Sequence, residues 1–205
     1  MNPELTTRKF YDKFGNLYWT QRKTNSFYLE KQFRKINKLW PSRGTILDIG
    51  CAGGIHIPMF LGIGRHLKYH GLDNSKQFIK TASSRYPQLN FTVGSITDQK
   101  LFKSKQFSGF FANSVLMHVP FIDWDEMFTN IERIMKPGSY GYLSLPITHP
   151  NPNLNDAEDV RHFTILSEPE QKQYLKSRNY KIVASGGFDG FSKQDIWRWY
   201  IVKLP

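Results

Sequence analysis

The stretch TILDIGCAGG, residues 45–54, decides how the rest of the chain is read. Its first half is an apolar run interrupted only by Asp48, the pattern of a short strand buried on both faces. Its second half breaks into Gly50, Gly53 and Gly54, with Cys51 and Ala52 between them, so the backbone is bare just where that strand ends. Glycines at such a point admit a tight turn and let a ligand approach the main chain.

Outward from the turn, strands and helices alternate. IHIPMFLGIG (55–64) reads as a helix in which Pro58 is tolerated only near the start. KYHGLD (68–73) is a second strand, SKQFIKTASSRYP (75–87) a second helix and NFTVG (90–94) a third strand. FSGFFANSVLMHV (107–119) is a fourth strand with its exit, WDEMFTNIERIM (124–135) a helix, and SYGYLSLP (139–146) a fifth strand after the turn Lys136-Pro137-Gly138. Upstream, SFYLEKQFRKINKLW (26–40) sets Phe27, Leu29, Phe33, Ile36, Leu39 and Trp40 at mostly helical spacing, with Asn25 or Ser26 as cap and Pro41 as stop. Alternation of this kind predicts an α/β, doubly wound, mainly parallel sheet with helices on both faces, because parallel neighbours need crossover connections. Residues 147–162 break the rhythm with Pro150, Pro152 and clustered Asn and Asp, which predicts a long loop suited to act as a lid. A helix over 167–177 follows, then YKIVAS (180–185) and a last strand around WYIVKLP (199–205). With no crossover helix between them, these two predict an antiparallel C-terminal pair and bring the sheet to seven strands.

At 205 residues the chain suits one domain. It divides into an N-terminal helical segment (1–43), a ligand-binding core (44–146), a candidate lid loop (147–166) and a C-terminal helix and strand pair (167–205). A hydrophobic content of 40% argues against disorder, and no stretch reaches the roughly 20 apolar residues of a membrane span. The N-terminus does not read as a signal peptide, and the single cysteine fits a reducing compartment, so a cytoplasmic location is expected. The net charge of +11 is concentrated early, at Arg8, Lys9, Lys13, Arg22, Lys23, Lys31, Arg34, Lys35, Lys38 and Arg43. Such a face steers toward nucleic acid, anionic lipid or a negatively charged small substrate, or is simply solvated.

Asp73 closes the second strand about 20 residues beyond the glycine turn, the spacing at which a carboxylate accepts hydrogen bonds from both hydroxyls of a ribose. A nucleoside-containing cofactor follows. The dinucleotide fingerprint G-x-G-x-x-G fails, since Ala52 and Ile55 occupy the second and third glycine positions, and the phosphate-binding G-x-x-x-x-G-K-[ST] is absent. Asp48, two residues before Gly50, aims a carboxylate toward an amine-bearing group. S-adenosylmethionine carries both a ribose and an ammonium.

ILDIGCAGG resembles the first motif of the class I S-adenosylmethionine-dependent methyltransferases. YHGLDNS is similar to their ribose-binding second strand, VGSITD to the adenine-side third, FSGFFANSVLMHVP to the fourth and RIMKPGSYGYLSLP to the fifth. The resemblance covers about residues 45–146 and implies a Rossmann-like fold with S-adenosylmethionine as cofactor and S-adenosylhomocysteine as product. It further implies that Asp48, Gly50, Cys51, Ala52 and Gly54 form the methionine-side floor, that Asp73 holds the ribose, and that Asn74, Ser95 and Ile96 flank the adenine. Asn113 and Ser114 would line the methyl-transfer cavity. Tyr11 and Tyr18 resemble the tyrosines of N-terminal segments that close over the cofactor in small members. Ala52 stands where the family commonly has glycine, and Ser95 where many members have an acid or another polar group.

Methyl transfer from a sulfonium is an in-line displacement that needs no acid, and a base only where the acceptor must lose a proton. His118, following the fourth strand, is the candidate base. The [DNS]-P-P-[YFW] tetrad of amino-methylating nucleic-acid enzymes is missing, since Asn113-Ser114-Val115-Leu116 stands there. Cys51 lies inside the turn and not after a proline, against cytosine-C5 chemistry, and no metal-ligand spacing is seen. Arg161, His162 and Trp197 are candidates to face the acceptor, in a tail similar to that of small bacterial class I enzymes and, more weakly, to tRNA wobble-uridine methyltransferases. The expected partner is a small-molecule acceptor. The alternatives are a tRNA, which the basic charge favours, and a non-catalytic cofactor- or RNA-binding accessory subunit of the same fold. The oligomeric state is not legible in the chain.

Overall fold

The computed structural model describes residues 2–22, 27–62, 66–148, 160–189 and 195–205, and the side chains of these except 14–22, 27, 28 and 66. Seven strands form one sheet: β1 (Arg43–Ile49), β2 (His66–Asp73), β3 (Asn90–Val93), β4 (Phe107–Ala112), β5 (Met135–Thr148), β6 (Lys181–Asp189) and β7 (Ile196–Lys203). Their spatial order is β3-β2-β1-β4-β5-β7-β6. The first five run parallel, and β7 lies antiparallel between β5 and β6. The architecture is the α/β, Rossmann-like doubly wound sheet with an antiparallel C-terminal strand. Strand order reverses on either side of β1, which opens a crevice at the carboxyl ends of β1, β2 and β4.

The helices are α1 (Pro3–Arg22), α2 (Phe27–Leu39), α3 (Ile57–Leu61), α4 (Lys76–Arg85), α5 (Trp124–Ile134) and α6 (Glu168–Ser177). Trp124, Met127, Phe128, Ile131 and Ile134 recur three or four residues apart along α5 and bury one face of it against Leu47, Ile49, Phe110 and Leu143. On the opposite side of the sheet, Phe33 and Ile36 of α2, with Trp40 beyond it, pack on Ile46, Phe111 and Tyr142. Alternation along β1 thus sends Leu47 and Ile49 toward α5, and Ile46 and Asp48 toward α2 and α3. Among the described residues no helix is long and apolar enough to cross a membrane.

Several boundaries differ from expectation, among them the end of β6, which runs to Asp189 instead of stopping at Ser185. The helix after the glycine turn is only Ile57–Leu61, with Pro58 in its first turn. β5 starts at Met135, because the Lys136-Pro137-Gly138 stretch is a bulge inside the strand: Phe107 pairs with Met135, but Gly109 already pairs with Tyr140. β7 starts at Ile196, three residues earlier than the apolar run suggested. Most of the candidate lid loop, residues 149–159, lies outside the described residues.

Candidate functional site

The glycine turn is held by β2. The amides of Gly50 and Cys51 both donate to the Leu72 carbonyl, at 2.7 and 3.0 Å. Gly50 has φ +70°, and a Cβ there would lie 2.4 Å from Val115 Cγ2, so both conformation and space demand glycine. Ala52 takes the left-handed φ of +48° without that freedom. Its amide donates to Asp73 Oδ2 at 2.9 Å, and the Ser75 amide donates to Asp73 Oδ1 at 2.9 Å. Burial pushes the Asp73 carboxyl up to about 6 against the pull of these two amides. Ser75 also caps α4 by accepting from the Phe78 amide, and its hydroxyl donates to Asp12 of α1 at 2.6 Å.

A cavity runs from this turn across the sheet's carboxyl edge, walled by Gly50, Ala52, Asp73, Asn74, Ser95 and Ile96 at one end. Asn113, Ser114, His118 and Tyr11 line the other. The Ile96 carbonyl is fixed by Asn130 at 2.6 Å, and Ser144 ties Asn113 to Ser114 by donating to Asn113 Oδ1 and accepting the Ser114 amide. Helix α1 closes over the opening. Its Thr7 hydroxyl accepts the His162 amide at 2.8 Å, and its Tyr11 hydroxyl lies 2.9 Å from His118 Nε2. His118 Nδ1 is 2.7 Å from the His162 carbonyl, which can only accept, so Nδ1 carries a proton. In the neutral ring Nε2 is therefore the acceptor and the Tyr11 phenol the donor. The Arg161 guanidinium lies against the faces of Phe10, Tyr11 and Phe163 and donates to the Tyr11 hydroxyl at 3.4 Å.

Residues 47–143 match the model of a methyltransferase domain family. The matched stretch is just under half of the chain, and over it the chain is similar to methyltransferase domains. Solved structures share its fold. A methyltransferase from Methanosarcina mazei is 19% identical with a TM-score of 0.66, over 83% of this chain and 96% of that one. One from Archaeoglobus fulgidus is 15% identical with a TM-score of 0.70, over 91% and 98%. A Haemonchus contortus phosphoethanolamine N-methyltransferase, in complex with phosphomonomethylethanolamine and S-adenosylhomocysteine, is 14% identical with a TM-score of 0.77, over 97% and 60%. No curated protein matches the chain in sequence.

Several residues named from the sequence do not line the cavity. Asp48 is wholly buried beneath it and accepts a hydrogen bond from Tyr69 at 2.8 Å. The Cys51 thiol is buried beside Gly71, and burial with Asp73 and Asp48 nearby pushes its pKa up. Gly54 packs on Ile57 and Tyr86. Arg161 and His162 stand behind Tyr11 and His118 rather than in the wall. Trp197 is buried in the core, stacked on its cross-strand partner Phe188 at 5.9 Å, and does not line the cavity. The side chain of Tyr18 lies outside the described residues. The sequence reading missed Glu4, Thr7, Ile55 and His56, all of which line the cavity. Only His56 left a signal, as a histidine two residues beyond the glycine turn.

Proposed function

We propose that this chain is a methyltransferase that binds S-adenosylmethionine across the β2-β1-β4 edge and methylates a small-molecule acceptor that gives up a proton. The donor set fits the cofactor: a carboxylate for the ribose at Asp73, polar Asn74 and Ser95 with apolar Ile96 for the adenine, and a bare backbone at Gly50. Bound there, the cofactor supplies an electrophilic methyl group open to in-line displacement. Asn113 and Ser114, held by Ser144, shape the wall beside it. Tyr11 meets the acceptor, takes its proton as the phenolic proton passes to His118 Nε2, and Nδ1–H keeps the ring fixed on the His162 carbonyl.

The observation that carries this reading is the Tyr11–His118 hydrogen bond on the cavity wall, beneath α1. The cover supports a small acceptor, as does the small phosphorylated amine held by the Haemonchus contortus protein. Calorimetric titration tests the cofactor, with S-adenosylmethionine, S-adenosylhomocysteine and NAD as ligands and Asp73→Ala as control. Binding of both sulfur ligands, absent for NAD and lost in the variant, is expected. Methyl transfer to bulk tRNA, but not to metabolite pools, would replace the small-molecule reading by the RNA one.

A further inference from the structure

Two buried polar atoms beside the cavity face each other without a hydrogen-bond partner, Asp48 Oδ1 and His56 Nδ1. They are 3.8 Å apart, just beyond hydrogen-bonding reach. Asp48 is 0% exposed and His56 8%, yet His56 belongs to the cavity wall and Asp48 does not. The other Asp48 oxygen is already committed to the Tyr69 hydroxyl. A carboxylate oxygen left unpaired at such depth is costly, so a small approach that lets His56 Nδ1–H donate to Oδ1 is favoured. That tautomer leaves Nε2 as an acceptor, backed by the negative charge of Asp48.

The strand order says which part of the ligand arrives there. With the ribose at Asp73 on β2 and the adenine at Ser95 and Ile96 beyond β3, the rest of an extended nucleoside thioether or sulfonium must run the opposite way, across β1 toward β4. His56 sits there, edge-on to Phe111 of β4 with ring centroids 5.3 Å apart. We infer that His56, oriented by Asp48, accepts a hydrogen bond from the α-ammonium of the cofactor's amino-acid end and sets the site's preference for ligands that keep this group. Asp48 thus acts on the ligand through the imidazole. The inference rests on the cofactor reading above, and it makes His56 a specificity residue and Asp48 a positioning residue.

Three ligands separate these claims: S-adenosylhomocysteine, its desamino analogue S-adenosyl-4-thiobutanoate, and 5′-methylthioadenosine, which lacks the whole amino-acid end. Calorimetry on the wild-type chain should show S-adenosylhomocysteine bound at least about tenfold more tightly than the desamino analogue, as loss of a charge-assisted hydrogen bond requires. In His56→Leu that ratio should fall toward one, while the affinity for 5′-methylthioadenosine stays within about twofold. A wild-type ratio near one overturns the inference without any variant, and so does a His56→Leu chain that weakens all three ligands equally. If the wild-type chain binds none of them, the cofactor reading itself falls and takes this inference with it.

Discussion

At Asp73 the two carboxylate oxygens already accept the amides of Ala52 and Ser75, so a ribose would meet a carboxylate fixed in orientation but poorly solvated. Its pKa, raised from 3.8 to about 6, lies above the unfolded value. The native chain then holds this proton more tightly than the unfolded one, and the stabilisation is present at low pH and declines as pH rises from about 4 to about 6. Ligand binding has the opposite sign, because ribose hydroxyls donate to the ionised form. Affinity for S-adenosylhomocysteine should therefore fall below about pH 6, approaching tenfold per unit, when titrated calorimetrically from pH 8 to 5. Ala52 makes a separate prediction. Its φ of +48° suits glycine, so Ala52→Gly should raise stability by up to about 1 kcal/mol, seen as a higher urea midpoint. For the Tyr11–His118 pair, Tyr11→Phe and His118→Gln should each lower kcat by about 10²–10⁴ while S-adenosylhomocysteine affinity stays within a few-fold. A matching loss of cofactor affinity would make the pair part of the cover and not of the proton path.

Among the elements, α2 depends on one small residue. A Cβ at Gly109 of β4 would lie 2.5 Å from Trp40 Nε1 and 2.8 Å from the Tyr140 carbonyl, the two groups that hydrogen-bond each other at 3.1 Å. Gly109→Ala should force them apart and destabilise the chain by about 1–3 kcal/mol in urea unfolding. The elements legible in the sequence were those whose burial repeats with a regular period. β1 showed as an apolar run because both its faces are covered, and α5 because its buried positions fall three or four residues apart. Helix α1 was harder to read, since Thr7 and Tyr11 turn toward the cavity and its first turns carry no regular apolar period. The early start of β5 hid in Lys136-Pro137-Gly138, whose residues signal a turn whether it precedes a strand or kinks it. Asp73 and Gly50 were legible because chain spacing fixes them across one βα unit. The Tyr11–His118 contact was not, because 107 residues separate its partners.

For the molecule as a whole, α1 is the piece whose attachment the ligand should change. It is tied to three separate loops through Asp12–Ser75, Tyr11–His118 and Thr7–His162. Saturating S-adenosylhomocysteine should slow amide exchange over residues 3–13 more than across the core strands, and equal slowing everywhere would mean that α1 does not respond to the site. The position of β7 has a different kind of consequence. It lies between β5 and β6, so β6 meets its neighbour only once a strand that follows it in the chain is in place. At this edge a strand made earlier therefore depends on one made later for its place in the sheet. Pairing Tyr140 with Lys203 must also close a long loop first, a slow step by its entropy. Weakening β7 should then slow refolding, whereas weakening β6 should mainly quicken unfolding, and the two limbs of a chevron plot would tell them apart.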